Sequence, residues 1–318
     1  MRDARWSGAA DPADDGEGEV YERQFTWRHG GERLDWSVDV PERLLEYCRE
    51  RTRTTAYASY AVDPFNEPVV ESVAEYLEEF ARSRGRDDRE AVATVARFVQ
   101  SIPYERDVVT TGRPEYPQFP VETLYYQQGD CEDLSILAAA VLRERGFDVA
   151  VVVLPDRRHM CLGVAVPWDL DGGYVTHEGT DYYLLETTDT GWRLGQVPPE
   201  YGDAAATVHP VNDAPLLLHR WEATPNGRDG VDIEGHVANF GTGEATDVTV
   251  AAVFERRGGT YGRLRTVTRD LAIPPGKSRS FDGTLDPPRR GADVRTRVQV
   301  RVGGRLHDET ESDWDRPA

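Results

Sequence analysis

The residues best suited to chemistry lie in Gly-Asp-Cys-Glu-Asp-Leu-Ser-Ile-Leu, residues 129–137. Asp130 reads as a helix N-cap, and Asp133, three residues on, answers it as a variant capping box. Cys131 then falls in the first helical turn, where unpaired backbone N–H groups and the positive end of the macrodipole favour a thiolate. Those N–H groups are also able to stabilise the oxyanion of a tetrahedral intermediate. The neighbouring charges act the other way: Asp130, Glu132 and Asp133 surround the thiol with negative charge, which raises its pKa. A nucleophilic role therefore requires a close cation, and a protonated histidine is the natural one. His159 is the candidate, since it opens the second strand of the hairpin after the helix. Glu186, the polar residue near the end of the apolar run Tyr-Tyr-Leu-Leu-Glu-Thr-Thr (182–188), is the acceptor that would fix the imidazole tautomer, with Asp181 and Asp189 as alternatives. Gln127 or Gln128, just upstream, is placed to donate to the oxyanion, although a polar turn explains both equally simply.

Positioning these groups needs a helix, a hairpin and their supports. Residues 1–19 are small and acidic and read as disordered. A hairpin follows: Phe25 and Trp27 alternate with polar residues, Gly30-Gly31 makes the turn, and Leu34, Trp36, Val38 and Val40 alternate back. Pro41 opens a short helical stretch with Leu44, Leu45 and Cys48. An amphipathic helix runs from near Pro68 to Gly85, with Val69, Val73, Leu77 and Phe80 on one stripe, and a second carries Val92, Val95, Ala96 and Val99. Residues 103–120, with four prolines, read as a long aromatic loop and a natural substrate wall. The helix of 131–145 presents Leu134, Leu137, Ala138, Val141 and Leu142 as its apolar face. Strands are expected at 147–154, 159–166, 174–177 and 182–188.

Helices followed by an antiparallel run indicate an α+β domain over 20–201. After a linker at 202–213, short strands at 216–221, 231–240, 245–255 and 294–302 read as a small all-β sandwich over 214–306. The acidic tail, 307–318, reads as unstructured. Cys48 and Cys161 are assigned to the core, His177 to the surface, and His209, His219, His236 and His307 receive no role.

The composition narrows the function classes. Asp and Glu total 57 against 37 Lys and Arg, a formal net charge of −20, and all but one of the basic residues are arginine, the exception being Lys277. Such an excess repels nucleic acid and anionic membrane surfaces. With so little lysine it points to a halophilic archaeon as the source, a basic protein partner being the alternative. Three cysteines, none in metal-ligand spacing, fit a reducing compartment. No signal peptide and no span of ~20 apolar residues is visible, so the expected location is cytoplasmic.

The order Gly-Asp-Cys-x-Asp with an apolar helix, then a histidine opening a strand, then an acid before Thr-Thr resembles the transglutaminase-like superfamily of cysteine peptidases and acyltransferases, which share a papain-like fold. The likeness is strongest to archaeal members in which GDCED precedes SIL. It spans roughly residues 20–201, with the motifs confined to 124–188. The resemblance implies a Cys131–His159–Glu186 triad and an acyl-enzyme route on amide bonds of a protein or peptide, with hydrolysis as the default. Met160 after the histidine, and Glu186 where Asp before Pro-Thr is usual, point away from protein cross-linking. The alternative is an inactive scaffold that binds a protein partner. No metal is assigned to the triad, while some bacterial relatives imply calcium at the positions of Asp130 and Glu132. The sandwich is similar to Ig-like modules, which implies binding of a protein partner.

Overall fold

Alternating apolar residues fold the start of the chain into a hairpin: β1 (Val20–His29) pairs antiparallel with β2 (Glu32–Pro41) across Gly30-Gly31, both at positive φ. Two glycines there carry the primed turn that matches strand twist. The computed structural model describes residues 18–83, 87–226, 230–257, 259–286 and 293–314, so the reading of 1–19 as disordered lies almost wholly outside the described residues. The chain divides into two compact units. One comprises residues 18–49 with Tyr57–Ala214, the other Glu50–Ala56 with the chain from Pro215 onward.

In the first unit the inner face of the hairpin packs aromatic on aromatic, with the rings of Phe25 and Trp27 at 5.3 and 5.1 Å from that of Phe98, both edge-on. Helices follow: α1 (Glu42–Glu50), α2 (Tyr57–Ala61), α3 (Glu67–Arg82), α4 (Asp88–Val99), α5 (Asp107–Thr110), α6 (Pro120–Tyr126) and α7 (Cys131–Glu144). Pro68 sits in the first turn of α3, where its missing N–H costs nothing. Asp87 caps α4, its Oδ1 accepting the Glu90 N–H at 3.2 Å. The expected loop at 103–120 is interrupted by α5, whose Asp107 is buried and accepts the main-chain N–H of Tyr116.

The sheet is antiparallel, in the order β5-β6-β4-β3-β7, from β3 (Asp148–Leu154), β4 (His159–Ala165), β5 (Tyr174–His177), β6 (Thr180–Leu185) and β7 (Thr207–Pro210). The last strand corrects the reading of 202–213 as a linker. Val208 and His209 pair with Val152 and Val151, so His209 belongs to this sheet. Four residues with one apolar member carry no visible period, and β3 as template supplies what the sequence lacks.

Helix α7 is not amphipathic, as its face of five had implied. Every residue from Glu132 to Leu142 is buried, because the sheet covers one side while α2, α3, α4 and α6 cover the other. A helix enclosed on all sides must be apolar or small all round, and Ile136, Ala139 and Ala140 complete that requirement.

Among the described residues the second unit has seven strands: β8 (Leu217–Pro225), β9 (Val231–Asn239), β10 (Ala245–Arg256), β11 (Gly259–Ile273), β12 (Ser278–Leu285), β13 (Val294–Val302) and β14 (Arg305–Glu311). They form two antiparallel sheets, β11-β10-β13-β14 and β12-β9-β8, over one core that includes Leu217, Ile233, Val250, Phe281 and Val298. The tail is not unstructured over 307–311, and the part of that reading at 315–318 lies outside the described residues. It forms the edge strand β14, held by a buried polar chain in which Asp308 binds His219 Nδ1 at 2.7 Å, Thr310 Oγ1 lies 2.8 Å from His219 Nε2, and Trp221 Nε1 donates to Thr310 at 2.8 Å. Its inward residues are polar, so hydrophobic alternation does not mark it.

The burial of α7 sets a stability expectation. Leu137→Ala should lower the unfolding free energy by about 2–5 kcal/mol, read from the urea midpoint of the full chain. An unchanged midpoint would mean that the helix is not the centre of this core.

Candidate functional site

The start of α7 is built around one carboxylate. Asp133 Oδ2 accepts the Asp130 N–H at 3.1 Å, and its Oδ1 accepts the Gln118 N–H at 2.7 Å. The reciprocal capping box expected of Asp130 and Asp133 is present. Gly129 makes room for it, since a Cβ there would lie 2.7 Å from the Asp133 Cβ. The segment before the helix is pinned in parallel to residues 103–105, with Gly129 N–H donating to Pro103 O at 3.2 Å and Glu105 N–H donating to Gly129 O at 2.9 Å.

Cys131 is the first residue of α7 and is half-buried, whereas Cys48 and Cys161 are fully buried. Its thiol donates to Glu132 Oε2 at 3.1 Å. Burial pushes the Cys131 pKa far up, and the charge and hydrogen bond of Glu132 and the charge of Asp130 push it further. A main-chain hydrogen bond from Met160 offsets this in part. Helix α7 itself packs against β4. Asp130 is driven up to about 8, first by burial and then by its hydrogen bond with Glu132, and burial also raises Asp133. Crowded carboxylates in a low-dielectric pocket cannot all ionise.

His159 begins β4, and the register Leu162↔Leu185 carries Glu186, one residue past β6, alongside that strand start. The ring Nε2 and Glu186 Oε2 are 2.9 Å apart, with the two side chains 11% and 3% exposed. Tyr201 stacks on the imidazole at 4.7 Å. Burial alone would raise the Glu186 pKa, but the hydrogen bonds with His159 and Thr188 hold it below the usual carboxylate value. Thr188 donates to Oε1 from both its N–H and hydroxyl, at 2.8 and 2.7 Å. Gln100 Nε2 donates to the Glu186 carbonyl at 2.8 Å, and Thr187 and Ser135 hydroxyls meet at 3.0 Å, tying the acid's loop to α7.

The structure therefore brings His159 and Glu186 into direct contact and leaves ring Nδ1 as the nitrogen not committed to the acid. Among the described residues no hydrogen bond joins the thiol to that ring. The alternative acids lie elsewhere: Asp181 Oδ1 accepts from Thr176 at 2.6 Å, and Asp189 Oδ1 accepts from the next N–H at 2.7 Å. Gln127 sits in the left-handed C-cap of α6 with its amide on the Gln24 carbonyl at 2.5 Å, which removes it as an oxyanion donor; Gln128 is half-buried. Two participants escaped sequence reasoning. Gln118 is fully buried with both amide atoms unpartnered among the described residues, and a buried amide in that state costs roughly 1–3 kcal/mol. Tyr201 lies too far along the chain for spacing to signal its stacking on His159.

Ligand atoms of Asp130, Cys131 and Glu132 lie within 4.8 Å of one another, as do those of Asp107, Asp130 and Asp133. Asp130 Oδ1 is buried without a partner. Carboxylate oxygens gathered on one turn, one of them orphaned, suit a hard cation such as calcium. Asp130 and Glu132 would hold it, and its charge would offset theirs.

Cys131 thus opens a helix that packs against β4, the strand that His159 opens. Residues 74–192, which contain all three groups, match the family model described as Transglutaminase-like superfamily. A curated relative, UPF0252 protein PH1321 of Pyrococcus horikoshii, is 30% identical over 110 residues, which cover 32% of this chain and 32% of that protein. The chain thus spans about a third of the length of this curated relative. No helix among the described residues is long and apolar enough to cross a membrane.

Two outcomes follow from the charge crowding. Glu132→Gln removes the adjacent charge and leaves only a neutral amide oxygen as acceptor, so the pH midpoint for iodoacetamide alkylation of Cys131 should fall by roughly 1–3 units; no shift would mean that Glu132 does not control the thiol. Asp130, raised from 3.8 to about 8 in the folded chain, stays protonated there while the unfolded chain has ionised. Stability from this group is therefore greatest below pH ~4 and declines as pH rises toward ~8. Asp130→Asn should flatten that decline in a melting-temperature series.

Proposed function

We propose that the first unit is a cysteine-dependent hydrolase or acyltransferase acting on amide bonds of a protein or peptide, with Cys131 as nucleophile, His159 as general acid–base and Glu186 as its orienting partner. The observation that supports this reading is the 2.9 Å contact of His159 Nε2 with a buried Glu186 whose pKa is held down, at the start of the strand against which α7 packs. A carboxylate in that position fixes the tautomer and stabilises the imidazolium. The thiol proton passes to His159 and the thiolate attacks the carbonyl carbon. The tetrahedral oxyanion collapses as His159 protonates the departing amine. Water, deprotonated by His159, then attacks the thioester carbon and frees the acid and Cys131. Gln128 and the N–H groups of the first turn of α7 are the proposed oxyanion donors.

The hydrogen bond from the thiol to Glu132 supports two further statements. Activation requires that the Asp130–Glu132 charge be compensated, by a bound divalent cation or by a positive group on the substrate. The same bond, with the raised thiol pKa, also favours the second reading, an inactive transglutaminase-like scaffold that binds a protein partner. In either reading the seven strands of the second unit, split four and three over one core, support an Ig-like module that offers its edge strands to a protein partner. The charge balance supports a cytoplasmic, salt-rich setting.

The deciding assay follows release of peptides from labelled casein in molar KCl, with and without calcium. The full chain should cleave, Cys131→Ala should abolish cleavage, and His159→Ala should slow it by about 10²–10⁴-fold. Cleavage that survives Cys131→Ala would overturn the enzyme reading. No cleavage under any condition, together with an unchanged Cys131 alkylation rate in His159→Ala, would favour the scaffold. Loss of activity to EGTA, restored by calcium alone, would assign the cation to Asp130 and Glu132.

A further inference from the structure

A cleft of about 910 Å³ opens in the first unit, and its lining includes none of Cys131, His159, Glu186, Asp130 or Glu132. That volume lies in the range of small-molecule sites. Its floor is the small-residue face of α4, including Ala93 and Ala96, and two tryptophans, Trp168 and Trp192, form walls. Both walls are held in place. The Arg89 guanidinium lies over the Trp168 ring at 5.3 Å, and the Trp192 carbonyl accepts Gln100 Nε2 at 3.1 Å. Arg97, also on the lining, donates to Gln100 Oε1 at 3.1 Å.

In a chain of net charge −20, three arginines converge on this cleft, Arg89, Arg97 and Arg193, together with His29. The acids beside them are partly spoken for. Asp87 caps α4, Glu90 lies 3.4 Å from His29 Nε2, and Asp171 stands exposed on the lip. Arg193 is exposed, and its side chain makes no hydrogen bond or ion pair among the described residues. Arg89 Nη2 donates to the Asp169 carbonyl at 3.4 Å, and the guanidinium has further N–H donors with which to meet a planar carboxylate.

We infer that this cleft is a binding site for a small carboxylate with a flat aromatic body, which lies between Trp168 and Trp192 while its carboxylate meets Arg193 and Arg89. The Trp168 ring is held by Arg89 and the main chain at Trp192 by Gln100. The inference stands apart from the thiol chemistry and holds for an enzyme or a scaffold.

The probe is 3-phenylpropionate, compared with the neutral 3-phenylpropionamide, each titrated into the full chain while tryptophan fluorescence is followed. The acid should quench saturably, and the amide should bind at least about tenfold more weakly. Arg193→Ala and Arg193→Glu, at an exposed position that leaves the fold intact, should weaken the acid at least threefold and leave the amide unchanged. Trp192→Ala should weaken both. Equal affinity of acid and amide, indifference to both Arg193 variants, or no saturable quenching by ~10 mM acid would each overturn the inference.

Discussion

The Asp133 carboxylate accepts the Asp130 N–H through one oxygen and the Gln118 N–H through the other, in space that Gly129 leaves by having no Cβ. This bond pair joins the start of the central helix to the loop that precedes it, and it decides where Cys131 stands. It also determines the electrostatics. A carboxylate that caps a buried helix start must share low-dielectric space with Asp130 and Asp107, so folding there gathers charge that water would have kept apart. The helix N–H groups repay part of that cost and the retained proton repays more.

The consequence for the thiol is a contest between neighbours. Burial, Glu132 and Asp130 favour the protonated form, while the Met160 N–H and the helix N-terminal position favour thiolate. In this structure the first group prevails and the thiol donates to Glu132. The histidine side of the site is already organised, since Glu186 is held by Thr188, Gln100 and the imidazole together. In the proposed mechanism an oriented base and a protonated nucleophile would respond to a cation that discharges the Asp130–Glu132 pair.

The second unit repeats the theme of a buried polar chain taking the place of apolar alternation. Asp308, His219, Thr310 and Trp221 satisfy one another and fasten the edge strand to the facing sheet. Asn239 does the same for the turn after β9: its Oδ1 accepts the N–H groups of Leu216 and Gly241, and its Nδ2 donates to the carbonyls of Gly243 and Ile273. A fully satisfied buried amide of this kind specifies one arrangement of the chain around it.

What was legible in the sequence is what local chemistry controls. The cap at Asp130, the first-turn place of Cys131, the glycine hairpin and the strand beginning at His159 follow from turn geometry and periodicity within a few residues. The match to the transglutaminase-like family model over 74–192 agrees with what one short motif and the order of two later residues suggested. Tertiary structure alone decided the rest. The enclosure of α7 on every side, the β7 and β14 strands and the stacking of Tyr201 on His159 all depend on partners distant in the chain, which no period records. So does the thiol's choice of Glu132, because burial sets the strength of each charge, and burial is a property of the packed molecule.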